Sequence, residues 1–132
     1  MTIGKREIEG IVLLDLEGRL IMGADSSNLR DRIVSLSNEG QKKIILNLKN
    51  VEFIDSTGLG TLVICFTTLQ KQGGTLKLLH LSRRHIELLV LTKLTVLFEV
   101  FDEEQAAINS FFPNREIKRF DILEFVKSQQ ED

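Results

Sequence analysis

The sequence predicts one α/β domain, with a mixed or mostly parallel sheet of about five strands packed with about four to five helices. Short β-branched and aliphatic runs alternate with segments whose apolar residues recur at helical spacing. Glycines and polar clusters separate these segments. Because parallel strands need helical crossovers, this alternation favours a sheet covered by helices. The predicted order is β-β-α-β-α-β-α-β-α, followed by a C-terminal helix.

The first predicted element is a β-hairpin. Apolar residues run from Ile8 to Leu16, and a second strand-like run covers residues 19–22. Between these runs, Glu17-Gly18 has the composition of a two-residue turn. A helix follows, because Asp25-Ser26-Ser27 offers capping groups and Gly40 a stop signal. Its apolar residues at helical spacing are Leu29, Ile33 and Leu36.

The second helix carries the strongest apolar pattern of the chain. A buried strand is predicted over residues 43–48, and the helix then begins at or near Ser56 and stops before Gly73-Gly74. Cys65 lies in this helix and is predicted to be a core residue. Residues 75–79 are predicted to form the next strand. The apolar stripe of the helix consists of Leu59, Leu62, Val63, Phe66 and Leu69.

The last part of the domain is predicted to contain two helices and a strand. Ser82 is expected to cap a third helix, with His85 on its polar face. A strand is predicted over residues 96–101, and residues 102–105 have the form of a capping box that opens a fourth helix. The inward-facing residues of the third helix are expected to be Ile86, Leu89 and Val90.

After Pro113 the composition changes. Apolar residues spaced by three among charged ones predict one more amphipathic helix, with Ile117, Phe120, Leu123 and Val126 on one face. We therefore assign residues 1–112 to the domain and residues 113–132 to a C-terminal helical extension. The extension either docks on its own domain or binds a partner, including a second copy of the chain in a homodimer.

Composition and charge exclude several classes of function. The formal charge is −2 over 132 residues, and no cluster of Lys and Arg suits a nucleic-acid backbone, so we expect no nucleic-acid partner. The single cysteine excludes an internal disulfide and fits a reducing compartment. Neither a signal-peptide pattern nor an apolar run of about 18 residues is present. We therefore expect a cytoplasmic protein with no membrane partner.

The most informative stretch is Asp55-Ser56-Thr57, which lies where the apolar stripe of the second helix begins. The simplest interpretation is helix capping, in which a side-chain oxygen accepts a hydrogen bond from an unpaired amide. Three capping groups exceed what one helix start needs, however, and Gly58 and Gly60 in the first turn weaken helix propensity. Bare backbone at these glycines would let another protein approach closely. A phosphate on Ser56 would meet free amides and the positive end of the helix dipole, which makes a phosphorylation switch plausible.

The same residues carry a resemblance to a known family. Asp55-Ser56-Thr57-Gly58-Leu59-Gly60, with the strand at residues 44–48 and the apolar residues of 51–54, resembles the signature of STAS domains. Among these it is most similar to the bacterial anti-sigma factor antagonists. The similarity runs from about Ile8 to Phe112 and includes Gly18-Arg19-Leu20, Gly73-Gly74 and Phe101-Asp102. It implies the STAS-type mixed sheet.

The resemblance also implies a partner-switching cycle. In that family the unphosphorylated antagonist binds an anti-sigma factor, a serine kinase of the histidine-kinase-like ATPase fold, and so frees the sigma factor. The kinase phosphorylates the serine after the motif aspartate, here Ser56 with Thr57 as the less favoured acceptor, and the complex dissociates. A metal-dependent serine phosphatase resets the cycle. ATP and Mg²⁺ belong to the kinase, so no cofactor is expected on this chain.

Site roles follow from the same resemblance. It implies that Asp55 positions the acceptor and that Thr57, together with Gly58-Leu59-Gly60, forms the docking surface with the second helix. Many relatives carry an acidic residue directly after Gly-Arg-Leu, near the phosphorylation site. This chain has Ile21 there, and we expect Asp25 to stand nearby.

Two other classes of function compete with the phosphorylation switch. An enzyme is disfavoured, because no serine has the Gly-x-Ser-x-Gly surroundings of a hydrolase, and His80 and His85 supply neither its base nor a metal site. A STAS domain without the switch is the stronger rival. It would be a structural adaptor, a stressosome-like scaffold, a transporter accessory subunit or a small-ligand sensor. The intact Asp-Ser pair favours the switch.

Overall fold

The computed structural model describes residues 1–115 and 121–130, with side chains described up to Lys127 in the second range. Its strands are β1 (Thr2–Ile8), β2 (Ile11–Leu20), β3 (Lys43–Ile54), β4 (Thr75–Leu79) and β5 (Val100–Phe101). Its helices are α1 (Ala24–Asn38), α2 (Ser56–Lys71), α3 (Arg83–Leu91), α4 (Glu104–Asn109) and α5 (Ile122–Gln130). A 3₁₀ turn at Leu94–Val96 precedes β5. In this part of the chain, every helix is too short or too polar to cross a bilayer.

The strands form one sheet in the order β1-β2-β3-β4-β5. β1 and β2 are antiparallel, whereas β2–β3, β3–β4 and β4–β5 are parallel pairs. The helices α1, α2 and α3 connect successive parallel strands, as crossovers in such sheets do. The predicted mixed sheet and the predicted order of its elements are confirmed.

The hairpin turn lies at Glu9-Gly10, and the prediction of a turn at Glu17-Gly18 is wrong. Both turn residues have a positive φ, 53° at Glu9 and 81° at Gly10, as the commonest two-residue hairpin turn requires. Gly18 lies inside β2, where its φ of 118° accompanies a shift in the register of pairing with β3. β1 was missed because residues 5–7 are all charged and leave no apolar run.

Apolar side chains on the two faces of the sheet form two cores. The larger core combines one face of the sheet with α1, α2 and α3, through residues such as Leu14 and Leu62. The smaller core combines the opposite face with α4, through residues such as Leu13 and Phe101. Neighbouring residues of β2 thus serve different cores, because successive side chains of a strand point to opposite faces. Cys65 is fully buried in the larger core, as predicted.

The helix starts agree with the predicted caps at α2 and α3 only. Asp55 is the N-cap residue of α2 and Ser82 that of α3, and each side chain accepts a backbone N–H of the first turn. α1 begins after Gly23, so Asp25-Ser26-Ser27 lies inside its first turn and does not cap it. No side chain caps α4, whose N-cap residue is Glu103, so the predicted capping box is not formed.

Two predicted strands have the wrong length. β3 continues through residues 49–54, past the predicted end at residue 48, because its second half keeps pairing with β2 as far as Ile54. The fifth strand is only Val100–Phe101, since β4 pairs with it through two residues. Val96, its predicted first residue, is 92% exposed in the 3₁₀ turn.

The chain after α4 is fastened to the first hairpin. The guanidinium of Arg115 donates two hydrogen bonds of 2.8 Å to the carboxylate of Glu9. Ile122, the first residue of α5, packs against the larger core. Ile117 and Phe120 of the predicted helix lie outside the described residues. The division into a domain and an extension therefore stays a prediction.

His85 is buried, so its predicted place on a polar helix face is wrong. Only 2% of its surface is exposed, and neither ring nitrogen has a hydrogen-bond partner among the described residues. Burial, and then the charge of Arg84, lower the pKa of His85, so the ring is neutral at pH 7. A buried polar group without a partner lowers the stability of the fold.

Replacing His85 with Leu should stabilise the chain by about 1 kcal/mol, because it removes two buried polar atoms that lack partners. The wild-type chain should also lose stability relative to this variant as the pH falls from about 7 to about 5. The pKa of His85 is lower in the folded chain, so the unfolded chain takes up the proton first and acid favours unfolding. Urea unfolding at several pH values measures both effects, and an identical pH dependence of the two proteins would contradict the assignment.

Candidate functional site

The ends of β2 and β3 bring two connecting segments together at one edge of the sheet. Leu20 pairs with Ile54, and the backbone N–H of Asp55 donates to the carbonyl oxygen of Leu20 at 3.3 Å. The segment that leads to α1 and the start of α2 therefore lie side by side. This carboxyl edge is where α/β proteins commonly place their binding groups.

The Asp55 carboxylate ties these two segments together. Its Oδ1 accepts a hydrogen bond from the N–H of Gly58 at 2.7 Å, which is the N-cap interaction of α2. Its Oδ2 accepts a hydrogen bond from the N–H of Met22 at 3.0 Å. These contacts lower the pKa of Asp55, with the Met22 bond as the largest cause and the Gly58 bond next. The carboxylate is therefore ionised at neutral pH and engaged by the fold.

Ser56 is the first residue of α2, and it is exposed. Thr57, the second, is exposed as well. The helix has 16 residues and no acidic side chain in its first turn, so the positive end of its dipole lies next to Ser56. Anions bind favourably at such a helix start. The position is chemically suited to carry a phosphate.

Gly58 and Gly60 have opposite surroundings. Gly58 is buried, and a Cβ there would overlap the carbonyl oxygen of Leu20 and lie 2.8 Å from its carbonyl carbon. Glycine is therefore needed at Gly58 for α2 to pack on β2, and the expectation of bare backbone open to a partner is wrong there. Gly60 is exposed, and a Cβ at that position would meet no atom within 4 Å. The fold itself does not require glycine at this second position.

Three apolar side chains that sequence reasoning missed are exposed near Ser56. Met22 is 72% exposed, Phe53 44% and Ile64 45%. The N–H of Met22 binds Asp55 as described above, and Phe53 precedes Asp55 by two residues. Ile64 follows Ser56 by two helical turns, and Gly60 lies midway between them. Ser56, Gly60 and Ile64 therefore share one stripe of α2. The available signal was that Phe53 and Ile64 stand outside the apolar periodicity of the core-facing residues.

The remaining predicted site residues have contacts within the chain. Leu59 is 8% exposed and packs in the larger core. Asp25, in the first turn of α1, accepts a hydrogen bond from the backbone nitrogen of Met1 at 2.9 Å. No hydrogen bond within the described ranges joins Asp25 to Asp55 or Ser56. In the same ranges, no group of three or more His, Cys, Asp or Glu side chains is placed to hold a metal ion.

Comparison with known sequences gives one family. The STAS domain model matches residues 2–107 of the chain. The anti-sigma-B factor antagonist of Bacillus subtilis is 39% identical over 80 residues, which are 61% of this chain and 72% of that protein. The anti-sigma F factor antagonist of Paenibacillus polymyxa is 23% identical over 99 residues, which are 75% of this chain and 85% of that protein.

Solved structures agree in fold. An anti-sigma factor antagonist from Thermotoga maritima matches with a TM-score of 0.76 at 24% identity, over 82% of this chain and 92% of that one. Unphosphorylated SpoIIAA, an anti-sigma factor antagonist, matches with a TM-score of 0.67 at 21% identity, over 85% of this chain and 99% of that one. The phosphorylated form of SpoIIAA from Bacillus matches with a TM-score of 0.66 at 21% identity, over 83% of this chain and 99% of that one. The predicted STAS-type fold is confirmed.

The two glycines of the first turns of α2 should respond in opposite ways to the same substitution. Gly58→Ala should destabilise the chain by about 2 kcal/mol or more, because its methyl group overlaps the backbone of Leu20. Gly60→Ala should stabilise it by up to about 1 kcal/mol, because alanine favours the helix and meets open space. Urea unfolding of the matched pair measures this difference. Equal stability of the two variants would show that α2 does not pack on β2 as described.

Proposed function

The chain belongs to the STAS domain family, and we propose that it is an anti-sigma factor antagonist that acts by partner switching. In its unphosphorylated state it binds an anti-sigma factor that is a serine kinase of the histidine-kinase-like ATPase fold. Phosphorylation of Ser56 then releases it. The observation that carries this proposal is the exposed position of Ser56 at the first residue of α2, directly after the capping Asp55.

The unphosphorylated surface has the properties of a docking site. Met22, Phe53 and Ile64 expose apolar side chains on the segments that lead to and follow Ser56, and their burial against a partner would contribute binding energy. Gly60 leaves the backbone of α2 uncovered, so a partner can approach it closely. Thr57 adds an exposed hydroxyl for a hydrogen bond at the same helix start. These features support binding at the exposed stripe of α2.

A phosphate on Ser56 would change this surface without unfolding the domain. The positive end of the helix dipole of α2 favours the added anion. The modification adds a charge of about −1.5 to −2 at neutral pH. Asp55 stays ionised beside it, so a bound partner would have to desolvate two neighbouring anions. The modified chain therefore keeps its fold and loses its partner.

The rest of the cycle is proposed from the family. A metal-dependent serine phosphatase removes the phosphate, Thr57 is the second candidate acceptor, and Asp25 contributes to partner binding from the start of α1. The relatives named above are antagonists, which are regulators, and we propose no catalytic activity for this chain. In this proposal ATP and Mg²⁺ belong to the kinase, and the cycle runs in the cytoplasm. Residues 1–112 form the switch domain in this proposal, and residues 113–132 its extension.

Incubation with ATP, Mg²⁺ and an anti-sigma factor serine kinase from the same organism should add one phosphate, on Ser56, as mapped by tandem mass spectrometry. Ser56→Ala should abolish the modification, whereas Thr57→Ala should retain it. If only Thr57→Ala lost the phosphate, the acceptor would be Thr57 and not Ser56. An unmodified wild-type chain would favour the non-switching alternative, a STAS adaptor, scaffold, transporter accessory subunit or ligand-sensing module.

Ser56→Asp should weaken binding to the same kinase at least about tenfold, because an uncompensated charge must be buried in the interface. Ser56→Ala should bind like the wild type and stay bound when ATP is added. Isothermal titration calorimetry measures both affinities. Ser35→Asp is the matched control, because Ser35 is exposed in the last turn of α1. That turn lies at the opposite end of α2 from Ser56, since its Ser37 bonds to Gln72, the C-cap residue of α2. If the two Asp variants bind equally, charge at Ser56 does not control the complex.

A further inference from the structure

β3 extends beyond one of its two neighbours. Its pairing with β2 continues to Ile54, but its pairing with β4 ends at Asn47, opposite Leu79. The N–H of Lys49 is taken by the side chain of Asn47 at 3.1 Å. Over residues 50–54, the edge of β3 that faces away from β2 therefore has no strand beside it within the described chain. An open edge of this kind is a template for another strand.

A groove separates this open edge from α3. Its polar half has a volume of about 580 Å³ and is lined by Val51, Glu52, Ser82, Arg83, Arg84 and Glu87. Its apolar half has a volume of about 260 Å³, and besides Arg84 and Glu87 it is lined by Phe53, Ile54, His85, Leu88 and Leu91. Arg84 and Glu87 line both halves, so the two cavities adjoin along α3. We call it the β3–α3 groove.

His85 forms part of the wall of the apolar half of the β3–α3 groove. The residue is 2% exposed, and both of its ring nitrogens are covered by protein atoms and lack a partner among the described residues. The groove therefore presents the apolar part of this residue to a ligand, and the hydrogen bonds of a bound peptide come from the edge of β3.

The two halves of the groove favour different ligand groups. Arg83 and Arg84 lie in the first turn of α3, which contains no acidic side chain, and the helix dipole adds positive potential there. Neither arginine forms an ion pair in the part of the chain that the structure describes. At the other end, Phe53 and Leu91 are 44% and 80% exposed. Glu52 and Glu87 line the same polar half, so a carboxylate fits this end only where it lies against Arg83 and Arg84. An apolar side chain fits the other end.

We propose that the β3–α3 groove binds an extended peptide segment of a partner protein, which adds to the open edge of β3 as a further strand. Main-chain hydrogen bonds to residues 50–54 hold the peptide, and alternate side chains enter the groove. An acidic side chain of the peptide faces Arg83 and Arg84, and an apolar one packs between Phe53 and Leu91. This site goes beyond the proposed switch and does not depend on Ser56.

A library of random dodecamer peptides displayed on phage, selected against the full chain, tests the proposal. The enriched peptides should combine an acidic residue with apolar residues at alternate positions. A synthetic peptide of the enriched sequence should protect amides within residues 50–54 from hydrogen exchange. Leu91→Lys should weaken its binding at least about tenfold, because it places a charge against the apolar side chain.

Two variants serve as controls for this experiment. Val96→Lys makes the same change at a residue that is 92% exposed and outside the groove, and it should leave the affinity unchanged. Ser56→Asp should also bind the peptide like the wild type, so failure of the switch and failure of the groove are distinguishable. The proposal is overturned if no peptide is enriched, if Leu91→Lys binds as tightly as Val96→Lys, or if the protected amides lie in α2.

Discussion

The geometry of the site depends on one carboxylate that serves two segments of the chain. Asp55 caps α2 through the N–H of Gly58 and holds the segment after β2 through the N–H of Met22. Gly58 adds a steric constraint, since α2 begins so close to the Leu20 carbonyl that no side chain fits between them. Together these two contacts set the start of α2 against the sheet. Ser56 is therefore held at the surface by bonds that leave its own hydroxyl uncovered.

β3 links the two binding surfaces that the structure suggests. The register of its pairing with β2 shifts twice, and the strand continues well past the end of β4. Its last residues lead directly into Asp55 and Ser56, which places the proposed switch at the end of the strand. Its free edge over residues 50–54 faces α3 and forms one wall of the groove. The two surfaces are neighbours and share the side chain of Phe53, which lines the groove and precedes Asp55 by two residues.

Several residues at these surfaces lower stability without being needed by the fold. Gly60 stands in a helix with open space around it, and His85 buries two polar atoms that have no partner in the described part of the chain. Natural sequences usually agree with their fold at every level, and departures concentrate where function requires them. Gly58, two positions before Gly60, is different, because the fold itself requires a glycine there for α2 to pack against the Leu20 carbonyl.

The amino-acid sequence alone determined the order of strands and helices, the start of α2 at or near Ser56 within a group of capping residues, and the burial of Cys65. The structure decided that Asp55 is the cap among them. Periodicity and capping act between residues a few positions apart, so a single sequence displays them. Only the tertiary structure decided that the hairpin turns at Glu9-Gly10, that Gly58 packs on Leu20 and that His85 is buried. These features depend on which strands pair and on how far each pairing continues. Contacts between residues distant in the chain leave no local pattern, and the open edge of β3 exists only because β4 is the shorter strand.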